Sequence, residues 1–204
     1  MGMVVGKIDV EVAKFDVLHD EKDQGEYQVR RYHPAVAAQV NCTNDSEGFK
    51  RLARYIGVFG TPENIGATAT AMTAPVVNTP QPQPIAMTAP VANSTAGQMQ
   101  FILPSTITMQ NAPTPTDDAV QLVQLPERTY AVLQYSGSTD LADARSRVSE
   151  LVQQVNSSSQ TSGLRLDEQD WQLYRYNSPL TLPFLRTNEI AVRVDPQPPR
   201  TSNL

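Results

Sequence analysis

Two hexapeptides 103 residues apart, Tyr27-Gln28-Val29-Arg30-Arg31-Tyr32 and Tyr130-Ala131-Val132-Leu133-Gln134-Tyr135, share the pattern Tyr-x-Val-x-x-Tyr, and each stands ahead of an amphipathic stretch. Aromatic and β-branched residues at this density favour strands. Across 46–59, Phe49, Leu52, Ala53 and Ile56 recur at i, i+3, i+4 and i+7, which predicts a helix with one buried stripe and Ser46 or Asp45 as its N-cap. Across 139–156, Leu141, Ala144, Val148, Leu151, Val152 and Val155 form a second stripe. Neither helix is long enough to persist alone, so each must dock on a sheet. Two strand-like stretches follow each helix, 67–77 and 98–109 after the first, 171–179 and 188–194 after the second. The expected fold is therefore α+β. It is a distorted antiparallel β-barrel of two pseudo-symmetric strand-helix-strand-strand halves, about 25–110 and 119–195, with two outer helices. Residues 1–195 are expected to form one domain, with 196–204 as a flexible tail.

Charge narrows the function. Sixteen Lys and Arg against 21 Asp and Glu leave a net charge of −5, the wrong sign for a chain that neutralises phosphates, so no nucleic-acid partner is expected. One cysteine excludes an internal disulfide framework, and with two histidines it makes no closed zinc site. No apolar run approaches the roughly 20 residues of a membrane-spanning helix. The 53 residues from Asn64 to Thr116 carry no Asp, Glu, Lys, Arg or His, but Thr, Gln, Asn and Pro interrupt them throughout. The N-terminal stretch holds Asp9, Glu11, Asp16, Asp20, Glu21 and Asp23, too acidic for a secretory or organellar leader. The expectation is a soluble cytoplasmic protein in which Cys42 stays a thiol.

Within the uncharged stretch, Ala71-Met72-Thr73-Ala74-Pro75-Val76 recurs as Ala86-Met87-Thr88-Ala89-Pro90-Val91. One sheet position cannot hold both copies. The second is expected to extend a loop or add an edge strand, because proline belongs at strand ends and edges. Small and flexible apolar side chains there make a smooth wall, equally suited to a flat ligand and to ordinary core.

These residues carry a resemblance. Tyr27 to Tyr32, Phe49-Lys50-Arg51-Leu52-Ala53-Arg54-Tyr55-Ile56, the Ala-Met-Thr-Ala-Pro-Val segments, Met99-Gln100-Phe101-Ile102-Leu103-Pro104, Arg175-Tyr176-Asn177-Ser178-Pro179 and Leu182-Pro183-Phe184 ahead of Arg186-Thr187-Asn188-Glu189 resemble the SOUL haem-binding proteins, particularly a plant and algal cytosolic branch. The resemblance covers roughly 1–195. It implies non-covalent, reversible binding of haem, and of metal-free porphyrins, in a shallow apolar surface groove, in the manner of a carrier or buffer. It implies that Phe49, Lys50, Ala53 and Arg54 of the first helix, with Leu180, Leu182 and Phe184 of the loop before the last strand, contact the tetrapyrrole.

Physical chemistry agrees with such a site. A porphyrin is an apolar disc with two propionates on one edge, so it needs greasy contact, worth about 25 cal/mol per Å², and cations at the rim. Arg54 suits the rim because its planar fork grips a carboxylate with two bonds. Some relatives carry a histidine, proposed as iron ligand, where this chain has Arg31, which cannot ligate iron. His33, two residues on, is the remaining metal candidate. No nucleophile motif or phosphate loop marks an enzyme. The alternatives are promiscuous binding of flat apolar molecules, as in multidrug-sensing regulators of similar fold, and a protein-interaction module using 78–84 or the tail, its protein partners unknown.

Overall fold

The computed structural model describes residues 10–22, 26–66, 82–94, 97–137, 139–177 and 181–195. In chain order its elements are β1 (Glu11–Val12), β2 (Phe15–Glu21), β3 (Tyr27–Tyr32), β4 (Ala35–Asn41), α1 (Asp45–Ile56), β5 (Asn64–Ile65), β6 (Thr88–Ala89), β7 (Val91–Ser94), β8 (Gln98–Ile102), β9 (Thr114–Pro115), β10 (Gln121–Leu125), β11 (Arg128–Tyr135), α2 (Leu141–Ser157), β12 (Leu166–Arg175) and β13 (Asn188–Val194). The chain divides into two units that interleave in sequence. One takes the described residues of 14–33 and 127–195, the other those of 10–13 and 34–126.

In the second of these, β10, β4, β8 and β7 lie side by side in that order, all antiparallel. Val36, Ala38 and Val40 of β4 and Met99 and Phe101 of β8 turn one face to α1, which buries Leu52, Ala53 and Ile56 against them. The helical periodicity thus marks the docking face correctly. Asn44 caps the helix, accepting from the backbone N–H groups of Ser46 (2.9 Å) and Glu47 (3.3 Å). The sequence alone points one or two residues too late, because Asn, Asp and Ser are nearly equivalent caps. Gly57 ends the helix at φ 90°, returning its N–H to the carbonyls of Ala53 and Arg54. Asn64, 1% exposed, fastens the exit: its amide donates to the carbonyls of Tyr55 (2.7 Å) and Gln83 (2.9 Å) and accepts from the Gln83 N–H (2.9 Å).

The second Ala-Met-Thr-Ala-Pro-Val copy does add strand. Thr88–Ala89 pairs in parallel with β1, and Val91 opens β7 opposite Phe101. The first copy, the strand expected over 67–77, Leu180 and the tail 196–204 lie outside the described residues.

The other unit arranges β12, β13, β11, β3 and β2 in an antiparallel sheet. Tyr27, Val29, Ala131, Leu133, Trp171, Leu173, Ile190 and Val192 face α2, which returns Ala144, Val148, Leu151 and Val155. Here the two look-alike hexapeptides are neighbours, with Tyr32 opposite Arg128 and Tyr27 opposite Leu133. They are not equivalent positions of a repeat. The strand that leads into α1 is β4, set apart from β3 by His33-Pro34. With that change, the two strand-helix-strand-strand halves are present: β4-α1-β7-β8 and β11-α2-β12-β13 share one pairing order, flanked by β10 and β3 respectively. The α+β class follows.

Candidate functional site

α1 alone supplies three basic side chains, and the structure separates them. Arg51 is committed, its Nη1 2.7 Å from Asp117 Oδ2 and its Nε 3.7 Å from Glu47. Lys50 is exposed and makes no ion pair with the described residues. Arg54, one turn later, is exposed and only loosely held, its Nη1 3.8 Å from Glu63 Oε1 and its Nε 3.4 Å from the Lys50 carbonyl. Residues four apart on a helix are neighbours, so Lys50 and Arg54 form one cationic edge. Phe49 is half-buried, its ring 5.4 Å from that of Phe101 in an edge-on contact. Ala53 is wholly buried in the core beneath α1. Beyond the helix, Val58 and Phe59 are 48% and 61% exposed, apolar residues that the helical stripe gives no reason to single out.

Leu182 and Phe184 belong to the other unit. They flank Pro183 in a single 3₁₀ turn, Pro183–Leu185, and are 55% and 71% exposed. The turn is held from below: Gly137 N–H donates to the Pro183 carbonyl (3.1 Å), Arg186 Nε to the Thr181 carbonyl (2.8 Å), and Thr187 N–H to Asn177 Oδ1 (2.6 Å). Short bonds at the base leave the apolar tips to solvent.

His33 stands in that same unit. Its Nε2 is 3.2 Å from Asp16 Oδ2, and Arg31 Nη2 is 3.0 Å from the same carboxylate. Arg31, and after it His33, hold the Asp16 carboxyl below its ordinary value. The imidazole is thus engaged by an acid. α1 itself contains no His, Cys or Met, and its buried Tyr55 hydroxyl donates to the Pro113 carbonyl at 2.9 Å. Among the described residues no group of three or more His, Cys, Asp or Glu is placed to hold a metal ion.

Two features escape sequence reading. One is a cavity of about 380 Å³ bordered by Asp20, Lys22, Glu26, Gln28, Arg30 and Val132, among others. None of the expected site residues lines it, and it is bordered by acidic and basic side chains alike. The other is a buried ionic network: Arg30 Nη1 donates to Glu189 Oε1 (2.9 Å) and Tyr176 Oη to Glu189 Oε2 (2.6 Å). A basic residue on the inward parity of β3 is its only sequence signal; Glu189, 159 residues away, gives none.

Antiparallel sheets each backed by one helix define the class of fold, α+β. The SOUL heme-binding protein family model matches residues 10–193, a span that takes in both units, and the chain belongs to that family. The family binds haem. Exposed Lys50 and Arg54 match two carboxylates in charge, and exposed Val58 and Phe59 are apolar as a porphyrin face is. No curated protein matches the chain. Among solved structures it is similar to a hydrolase from Listeria innocua, 11% identical over 87% of this chain and 94% of that one, with a TM-score of 0.50. A putative transcription regulation protein from Staphylococcus aureus MU50 is 9% identical over 84% and 99%, with a TM-score of 0.40. At 11% identity the likeness to the hydrolase is one of fold. Among the described residues no helix is long and apolar enough to cross a membrane.

Proposed function

We propose that this protein binds haem and related tetrapyrroles, metal-free porphyrins included, reversibly at a shallow apolar surface, and acts in the cytoplasm as a carrier or buffer rather than as a catalyst. The observation that carries the reading is the free edge of α1. Of its three cations, Arg51 is held by Asp117, while Lys50 and Arg54 face solvent one turn apart beside half-buried Phe49. Lys50 and Arg54 hold the propionates, and Phe49, with exposed Val58 and Phe59, covers macrocycle surface. Ala53, wholly buried, acts by letting α1 lie close to its sheet. Leu182 and Phe184, named by the family resemblance together with Leu180, are a second apolar set. Their exposure on a well-anchored turn supports the assignment.

Iron needs no protein ligand in this reading, since α1 offers none and His33 is engaged by Asp16. A binder that grips the ring and its carboxylates accepts metal-free porphyrin as well. The test is a titration with hemin and with protoporphyrin, followed by Soret absorbance and by quenching of Trp171, the single tryptophan. Saturable binding of both, weakened separately by Lys50→Glu and by Phe184→Ser with the circular dichroism unchanged, is expected. Equal quenching by unrelated dyes would point to a promiscuous binder, and absence of saturation would overturn the proposal.

A further inference from the structure

The face of the unit-one sheet turned away from α2 is unusual in its tyrosines. Along β3, β11 and β12 the positions alternate, and those not facing α2 include Tyr32, Tyr130 and Tyr174, with Tyr176 just beyond β12. All four are at most 5% exposed. The Tyr32 ring lies 6.1 Å from that of Tyr130 and 6.0 Å from that of Tyr174, edge-on to both. Arg30 ties the group together, its Nη1 reaching Tyr32 Oη (3.4 Å) as well as Glu189.

Their hydroxyl partners differ, and the difference decides what each phenol can do. A tyrosine that loses an electron becomes a strong acid and must pass its proton to a base at once. Tyr27 Oη meets Thr161 Oγ1, Tyr55 Oη a backbone carbonyl, and Tyr130 Oη the Gln172 amide. The Tyr174 hydroxyl is buried without a hydrogen-bond partner. None of these partners is a useful base. Tyr176 alone among the described residues donates to a carboxylate, Glu189 Oε2, at 2.6 Å. Burial, with the Glu189 charge, raises the pKa of Tyr176 above its ordinary value, so the phenol keeps its proton until it is oxidised.

We propose that Tyr176 and Glu189 form a proton-coupled electron-donor site: a strong one-electron oxidant, such as a photo-oxidised tetrapyrrole or metal complex, takes one electron and is reduced, while the phenolic proton passes to the Glu189 carboxylate. The products are the neutral Tyr176 phenoxyl radical, the protonated Glu189 carboxyl and the reduced oxidant. Burial shields the radical from solvent. Such a site would let a protein that handles photoactive pigment absorb oxidising equivalents internally.

The experiment uses the full chain without any tetrapyrrole, so its outcome is independent of the haem proposal. Tris(bipyridine)ruthenium with persulfate is flashed in its presence, and the tyrosyl radical is read by electron paramagnetic resonance in frozen samples and by transient absorbance in H₂O and D₂O. The unmutated chain is expected to give a tyrosyl signal that forms more slowly in D₂O. Tyr176→Phe, which keeps the ring, is expected to lose most of it, and Tyr55→Phe to retain it. Glu189→Gln leaves Arg30 uncompensated, so the isotope effect rather than that variant reports the proton's path. An undiminished signal in Tyr176→Phe, an equal loss in Tyr55→Phe, or no isotope effect overturns the proposal.

Discussion

Arg51 and Arg54 are three residues apart on one helix, yet they face different duties. The Arg51 guanidinium lies 2.7 Å from Asp117, whereas Arg54 has only a 3.8 Å approach to Glu63. A carboxylate ligand arriving at Arg54 therefore displaces little. Arg54→Glu is expected to weaken hemin binding by about 1 kcal/mol, roughly fivefold in Kd. Arg51→Ala is expected to leave hemin affinity unchanged and to lower stability by at most about 1 kcal/mol, since its pairs are partly exposed. Hemin titration and urea unfolding of the two variants make the comparison, and equal affinity in both would remove Arg54 from the site. Only part of this division can be read in the sequence. Helical spacing puts Lys50, Arg51 and Arg54 off the apolar stripe. That Asp117 claims Arg51 depends on a contact between residues 66 apart, which no local pattern encodes. The Arg30–Glu189 pair was hidden for the same reason, and a charged residue in a strand reads as exposed until its partner is known.

At the level of elements, both helices were legible because a 3.6-residue apolar period leaves little freedom: it marks the buried Leu52, Ala53 and Ile56 of α1 and Ala144, Val148, Leu151 and Val155 of α2, though it passes over buried Gly48 and Tyr55, and Phe49 is only half-buried. Their ends were less so. The first was expected to run to 59, but Gly57 closes it at Ile56. Gly57 holds φ 90°, and a Cβ there would stand 2.6 Å from the Pro62 ring. Gly57→Ala thus combines backbone strain with a clash and is expected to cost about 1–3 kcal/mol, read as a lower urea midpoint. No loss of stability would mean that the helix ends differently. Strand assignment succeeded in part, for β3, β8, β11, β12 and β13 fall in stretches read as strands, whereas β2, β4 and β10 went unread and 67–77 lies outside the described residues; strand equivalence failed. The hexapeptides Tyr27–Tyr32 and Tyr130–Tyr135 share a pattern but not an orientation: Tyr27 and Val29 face α2, whereas Tyr130 and Val132 lie on the opposite parity of their strand. A matching string of residue types therefore does not establish that two strands are equivalent. The uncharged stretch was legible only in part: its second Ala-Met-Thr-Ala-Pro-Val copy supplies β6 and opens β7.

For the molecule as a whole, the buried tyrosines set an alkaline limit. Burial is the chief cause that raises Tyr32, Tyr174 and Tyr176 in one unit and Tyr55 in the other above their ordinary value. In the unfolded chain each releases its proton near pH 10; in the folded chain each retains it beyond that. Above about pH 10 the unfolded state therefore binds fewer protons, and stability falls as pH rises. Below that pH all four are protonated in both states, and their contribution is constant. Phenolate absorbance is expected to rise late and steeply, together with loss of circular dichroism and a red shift of Trp171, which packs in the core of the unit that holds three of the four. Gradual ionisation of every tyrosine around pH 10 with the circular dichroism intact would contradict this account. It would mean that water reaches the hydroxyls of the cluster in the native protein, and the electron-donor site would then lack the shelter that a lasting radical requires.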